Sequence, residues 1–222
     1  MNKIAIYTLT RDRLEFTKHC FQTLWDKAGV EFDWYIIDNG SQDGTVEWLK
    51  ENESQFKKVI YNPENVGISK ASNQALEEIF RERYDLIIKF DNDCEVVSEN
   101  ILEKIIEIFK DRKKLILSPN VEGIDNQPKR GRYEEIAGHS IGMTAVVGGL
   151  FHIVPAEIYQ QYRYPENLPK AKGQDELFCS WVKATGYKVG YIEDLTVNHY
   201  MTTGGQYKHN PGYFERKWQE EK

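Results

Sequence analysis

Short apolar runs alternate with longer stretches in which apolar residues recur every three or four positions, and this alternation fills the first half of the chain. "IAIYTL" and "WYIID" are brief and rich in strand-forming residues, so each reads as a β-strand. Between them, "DRLEFTKHCFQTLWDKAG" sets Leu14, Phe21, Leu24 and Trp25 on one helical face, with Gly29 as the stop. The pattern then repeats. "DGTVEWLKEN" is helical, "KKVIY" extended, "ISKASNQALEEIFRER" helical through Ile68, Ala71, Ala75, Leu76 and Ile79, and "DLIIKF" extended again. In "SENILEKIIEIFKDR" Ser98 is the expected cap of a helix with the apolar stripe Ile101, Leu102, Ile105 and Phe109; the strand "KLILSP" follows. Alternation of this kind predicts an α/β fold, with a mainly parallel central sheet and helices on both faces.

The regular half ends near Pro119. Residues 121–143 are rich in Gly, Asp, Asn, Lys and Arg with little periodicity, which predicts a long loop of the kind that serves as a lid. Beyond it, "TAVVGGLFHIVP" reads as a strand with an inner glycine pair and "GQDELFCSWVKATG" as a helix; "YKVGYI" and "LTVNHY" read as two final strands. Residues 1–200 are expected to form a single domain, and 201–222 a tail that closes over or packs near the site.

Composition narrows the choice. A formal charge of -6 and a pI near 5.5 argue against nucleic acid or anionic lipid as the main partner. Cys20, Cys94 and Cys179 are odd in number and widely spaced, which suits free thiols in a reducing compartment and excludes a cysteine zinc site. No apolar stretch approaches ~18 residues and the amino terminus looks strand-like rather than like a signal peptide, so a soluble, cytoplasmic protein is expected.

In an open parallel sheet, ligands bind beyond the carboxyl ends of the strands, so polar residues immediately after strands carry the chemistry. Four such places stand out: "TRDR", "DNGSQDGT", "NPENVGISKASN" and "FDNDCE". Asp38 ends a strand, where it can accept hydrogen bonds from a base or ribose. Lys70 and the free N–H groups opening its helix can face phosphate. In "FDNDCE", Asp91, Asp93 and Glu95 repel one another unless a cation joins them, and Mg²⁺ or Mn²⁺ prefers such oxygen ligands while sharing substrate phosphates. Taken singly, each segment also reads as a solvated turn or a helix cap.

Taken together, in this order and at these intervals, the four segments resemble family 2 glycosyltransferases of the GT-A nucleotide-diphospho-sugar transferase fold. The likeness covers residues 1 to about 200; it departs where Leu9, Thr10, Arg11, Asp12 and Arg13 stand for the family's Pro-Thr-Tyr-Asn-Arg. The resemblance implies nucleotide contacts from Thr10, Arg11, Arg13, Asp38, Asn65, Gly67, Lys70, Asp91 and Asn92, and metal contacts from Asp93 and His199, the latter in "VNHY". It makes Asp175 of "GQDELF" the catalytic base, and Gly148, Gly149 and Glu176 the contacts to sugar or acceptor. At Asp175 and Glu176, favourable placement at the positive end of a helix is the competing explanation.

The implied reaction is metal-dependent, inverting sugar transfer from a nucleoside diphosphate to a hydroxyl acceptor. UDP is favoured because Asp38 suits an imide N–H, and the acceptor is a glycan, lipid-linked saccharide or protein. Two other readings stay open. A sugar-nucleotide pyrophosphorylase shares the sheet and the metal but carries a Gly-rich loop after its first strand, and "TLTRDRLEF" has no glycine. A nucleotide-binding domain without turnover would keep the fold alone.

Overall fold

The computed structural model describes residues 3–110, 114–124, 127–167 and 173–199. The expected tail, with Tyr207, Lys208 and His209 as candidate contacts, lies outside the described residues.

The first half follows the alternation of the sequence: β1 (Ile4–Thr10), α1 (Leu14–Lys27), β2 (Asp33–Asn39), α2 (Thr45–Glu51), β3 (Lys58–Asn62), α3 (Ile68–Ile79) and β4 (Leu86–Phe90). Then come the short β5 (Cys94–Val96), α4 (Ile101–Phe109), β6 (Leu115–Glu122), β7 (Arg132–Ile136), β8 (His139–Met143), β9 (Phe151–Pro155), α5 (Ala156–Gln161), α6 (Gln174–Ala184) and β10 (Lys188–His199). All strands join one sheet in the order β3-β2-β1-β4-β9-β6-β10-β8-β7, with β5 paired to β10.

The parallel part of that sheet is β3-β2-β1-β4 together with the β6–β10 pair, and antiparallel β9 joins them. The chain steps from β1 to β2 to β3 in one direction, then crosses back to β4 on the far side of β1. Since crossovers of this type are right-handed, α1 and α2 cover one face and α3 the other. The reversal puts a switch point between β1 and β4, where the carboxyl ends of adjacent strands splay and a crevice opens. Apolar burial fixes this arrangement: on α1, Phe21 is fully buried and packs 4.3 Å, centroid to centroid, from Trp34 of β2, with Trp25, Trp48 and Phe56 around them. Cys20, Cys94 and Cys179 are buried free thiols.

Several boundaries differ from expectation. The long loop expected at 121–143 is instead largely strand: β6 runs through Pro119 to Glu122, and β7 and β8 form a hairpin across residues 132–143. Pro119 fits because β9 pairs with β6 at Leu117 alone, so no ladder partner is lost there. The hairpin turns on Ala137 and Gly138, both at positive φ (53° and 80°), as a two-residue type I′ turn requires. Its strands bury only Ile136, Ile141, Gly142 and Met143, too few to impose a visible period. The two final strands are one strand, β10, with a register shift between Ile192 and Thr196. Of "TAVVGGLFHIVP" only Phe151–Pro155 is strand. Ser98 does not cap α4, which starts after a left-handed Asn100; its hydroxyl instead accepts the Thr196 N–H at 2.8 Å, tying β10 to the loop after β5.

Candidate active site

The site starts with a strained turn. After β1 the chain passes through Asp12 and Arg13, both left-handed at φ 54° and 65°. For residues with a Cβ this costs roughly 1–2 kcal/mol each, and neighbouring loops supply the compensation. The Asp12 N–H donates to Ser41 Oγ at 2.7 Å, the Gln42 N–H donates to Asp12 Oδ1 at 2.7 Å, and the Leu14 N–H donates to Asp43 Oδ2 at 2.9 Å. The turn after β1 is thereby stitched to the turn after β2. Held so, the Arg13 guanidinium reaches the end of β4: Nη1 donates to Asp93 Oδ2 at 2.6 Å and Nη2 to Asn92 Oδ1 at 2.5 Å.

The second turn is equally ordered. Asp38 is fully buried at the end of β2; its Oδ2 accepts the Thr10 and Ser41 hydroxyls at 2.9 and 2.5 Å, and its Oδ1 accepts the Ser41 N–H at 3.0 Å. Burial pushes its carboxyl above the usual range, and the hydrogen bonds from Ser41 and Thr10 oppose that. Thr10 and Asp38 therefore form one buried unit, while Arg11 follows β1 directly and is partly exposed. Asn65 accepts from Asn39 Nδ2 at 2.8 Å and from the Gly67 N–H at 3.0 Å. Gly67 opens α3 at φ 85°, and Lys70 stands exposed in the first turn.

At the end of β4 the acidic residues take different environments. Asn92 is fully buried, with its amide donating to Thr17 Oγ1 at 2.8 Å, so it braces α1 in addition to holding Arg13. Asp93 is 5% exposed, and its Oδ2 lies 3.3 Å from His199 Nε2. Backbone pairing brings these two together: β5 runs antiparallel to β10 with Cys94 opposite His199. Glu95 is held by His19 Nε2 at 3.0 Å and by Asn198 Nδ2 at 3.1 Å. Among the described residues no group of three or more His, Cys, Asp or Glu side chains is arranged for a metal. Asp93 and His199 offer one carboxylate and one imidazole, a donor pair that fits a divalent ion able to take its remaining ligands from phosphate and water.

The base candidate, Asp175, sits in the first turn of α6 and accepts the Gly149 N–H on Oδ2 at 2.8 Å. Gly149 lies in the irregular stretch before β9, where its carbonyl accepts from Lys89 Nζ at 2.7 Å; that same ammonium also pairs with Asp91. Burial pushes the Asp91 carboxyl upward and the Lys89 charge opposes it. The structure thus links Asp175 to Asp91 through Gly149 and Lys89. Gly148 donates its N–H to Tyr191 Oη at 3.3 Å, and Glu176 is exposed beside Asp175. His139 opens β8 and pairs with Asp194 at 2.6 Å. Sequence reasoning missed Lys89, although a lone lysine inside the otherwise apolar "LIIKF" was a usable signal. A groove of about 1000 Å³ lined by Lys3, Trp25, Phe32 and Trp34 lies at the opposite, amino ends of β1 and β2, away from all these groups.

A mainly parallel sheet with a switch point at β1/β4, and acids gathered on its carboxyl edge, superposes on solved structures bound to nucleotides or nucleotide sugars. Staphylococcus aureus TarS in complex with UDP-GlcNAc matches at TM-score 0.67 and 14% identity, over 88% of this chain and 58% of its own. The mannosyltransferase PcManGT from Pyrobaculum calidifontis, in complex with GDP-Man and Mn²⁺, matches at TM-score 0.71 and 13% identity, over 94% and 60%. GalNAc-T7 with UDP, GalNAc and Mn²⁺ matches at TM-score 0.71 and 11% identity, over 90% and 44%. These likenesses establish the GT-A fold. The chain belongs to glycosyl transferase family 2, whose sequence model matches residues 5–196. A relative named uncharacterized glycosyltransferase YfnE, from Bacillus subtilis (strain 168), is 31% identical over 88 residues, which are 39% of this chain and 21% of that protein. The chain thus spans about a fifth of that relative and about three-fifths of the TarS and PcManGT chains.

Proposed function

We infer that the protein transfers a sugar from a nucleoside diphosphate to a hydroxyl acceptor with inversion. One observation carries the reading: Asp93 and His199 close on each other at 3.3 Å, while Asp175 is tethered to the same strand end through Gly149 and Lys89. In this reading the diphosphate lies against the carboxyl ends of β1 and β4, and Lys70 with the opening N–H groups of α3 faces its charge. Asp175 accepts the proton of the acceptor hydroxyl as that oxygen bonds to the anomeric carbon. The bond from that carbon to the diphosphate oxygen breaks on the opposite side, so configuration inverts. A divalent cation held by Asp93 and His199, Mn²⁺ in preference to Mg²⁺ because one donor is imidazole, would neutralise charge on the departing diphosphate.

UDP is the donor nucleotide we favour: the imide N–H of uracil would take the place that the Ser41 hydroxyl now holds on Asp38. The neighbours bound to UDP-GlcNAc, GDP-Man and UDP support a nucleotide at this edge, and two of them carry Mn²⁺. For the acceptor, a glycan, a lipid-linked saccharide or a protein hydroxyl all suit the chemistry. Among the described residues no helix is long and apolar enough to cross a membrane.

A thermal-shift screen of nucleotides and nucleotide sugars, with and without Mn²⁺, tests the reading, because a ligand that binds only the folded state raises its apparent stability. UDP is expected to raise Tm only when Mn²⁺ is present, and Asp93→Ala to erase that increment. Asp175→Asn is expected to bind donor as the wild type does while transfer falls about 10²–10⁴-fold, the range of general-base contributions. Full transfer by either variant would remove its residue from the mechanism. Nucleotide binding with no turnover of any donor would leave a binding domain.

A further inference from the structure

We propose that Lys89 is a positioning residue that couples the donor-side carboxylate Asp91 to the base Asp175 through the Gly149 peptide. The proposal rests on the transferase reading above and adds a member to its machinery.

Lys89 is the penultimate residue of β4, between Ile88 and Phe90, in a strand buried at every position. Its side chain is 8% exposed, and its antiparallel neighbour on β9 is His152. Taking an ammonium out of water costs several kcal/mol per ion unless charge and hydrogen bonds compensate, and an aliphatic residue would pack here without that cost. The compensation is specific. The ammonium pairs with Asp91 and donates to the Gly149 carbonyl at 2.7 Å. Gly149 turns its N–H to Asp175 Oδ2 at 2.8 Å, and the Asp91 N–H donates to the carbonyl of the next residue, Leu150, at 2.9 Å. One turn, 149–150, therefore meets the Asp175 carboxylate, the Lys89 ammonium and the Asp91 backbone, while the ammonium itself pairs with the Asp91 carboxylate.

A side chain at position 149 would push apart the two charged groups that meet there. A Cβ built on Gly149 falls 2.9 Å from Asp175 Oδ1 and 3.1 Å from Lys89 Nζ. Both groups crowd one point, so they are within about 6 Å of each other, close enough for strong mutual attraction at low dielectric. Without Lys89 the two carboxylates would face each other across the turn, and an arriving diphosphate would add further negative charge. Burial works against the Lys89 charge, but Asp91 and then Asp175 more than offset it and raise its pKa. The ammonium thus draws Asp175 toward the turn through the Gly149 peptide while pairing with Asp91.

The experiment compares wild type, Lys89→Met and Gly149→Ala; the second keeps the Lys89–Asp91 pair and inserts a methyl group between Lys89 and Asp175. Amide hydrogen exchange at position 149, measured in the folded protein with global stability determined in parallel, is expected to quicken at least tenfold in both variants. Unchanged protection would overturn the coupling, and this readout needs no donor, so it stands even if the transferase reading fails. With the nucleotide sugar selected by the thermal-shift screen and Mn²⁺, kcat is expected to fall at least 100-fold in Lys89→Met while the UDP dissociation constant changes less than tenfold. Introduced into Asp175→Asn, Lys89→Met is expected to lower the residual rate less than threefold, since groups acting as a unit are non-additive. A second 100-fold loss there would show that Lys89 acts independently of Asp175. Should Lys89→Met fail to fold, Gly149→Ala carries the same comparison.

Discussion

His152 is fully buried on β9 and packs edge-to-face on Phe178 at 5.1 Å, with neither ring nitrogen hydrogen-bonded. Burial, aided by the neighbouring Lys89 charge, pulls its pKa down to about 3 from 6.5. The folded protein thus keeps this imidazole neutral, whereas the unfolded chain protonates it below pH 6.5, so stability is lost as pH falls from 6.5 toward 3. At pH 5 the loss from this residue is about 2 kcal/mol. His152→Leu is therefore expected to flatten the stability difference between pH 7 and pH 5, measured by urea unfolding, by about that amount; an unchanged slope would mean that the ring finds a proton acceptor in solution. The same scale shows what a sequence hides. That Asp93 and His199 meet at 3.3 Å was legible, because the family order of strand-end motifs singles both out. The split of "DND" was not: nothing local says that Asn92 is buried against Thr17 while Asp91 takes a lysine two residues earlier. Those partners come from α1 and from the side-chain alternation of the strand, which only tertiary packing settles.

Elements were readable in proportion to how much apolar surface they bury. α4 buries Ile101, Leu102, Ile105, Ile108 and Phe109, so its stripe is visible in sequence. The β7–β8 hairpin has exposed or half-buried residues at most of its positions and was read as loop. Its turn offers a test. Ala137 sits at φ 53°, where a Cβ is penalised, and Asn tolerates that region while suiting the first central position of a type I′ turn. Ala137→Asn is expected to stabilise the protein by about 0.5–1 kcal/mol, seen as a higher urea midpoint at unchanged m. A destabilised variant would show that this turn is not left-handed in solution.

Across the whole molecule, the repeated strand–helix units implied a mainly parallel sheet with helices on both faces, whereas the order β3-β2-β1-β4, with its reversal at β1, is settled only by packing. The second half was harder to read: β9 enters antiparallel between β4 and β6, and β10 alone pairs with β5, β6 and β8, so its strands are joined by partners far away in sequence. One continuous sheet spanning both halves argues for one cooperative unit. Urea unfolding is expected to give a single transition, displaced by about 2.7 kcal/mol with UDP at 100 times its Kd in the presence of Mn²⁺; two transitions would mean that the halves melt separately. The pairing of β5 with β10 bears on ion choice. With Cys94 opposite His199, the ladder of the main chain sets how far apart the backbones carrying Asp93 and His199 stand, and their side chains span what is left. If the proposed cation is held there, two protein donors leave most of its shell to phosphate and water, so the protein without substrate is expected to discriminate weakly among divalent ions.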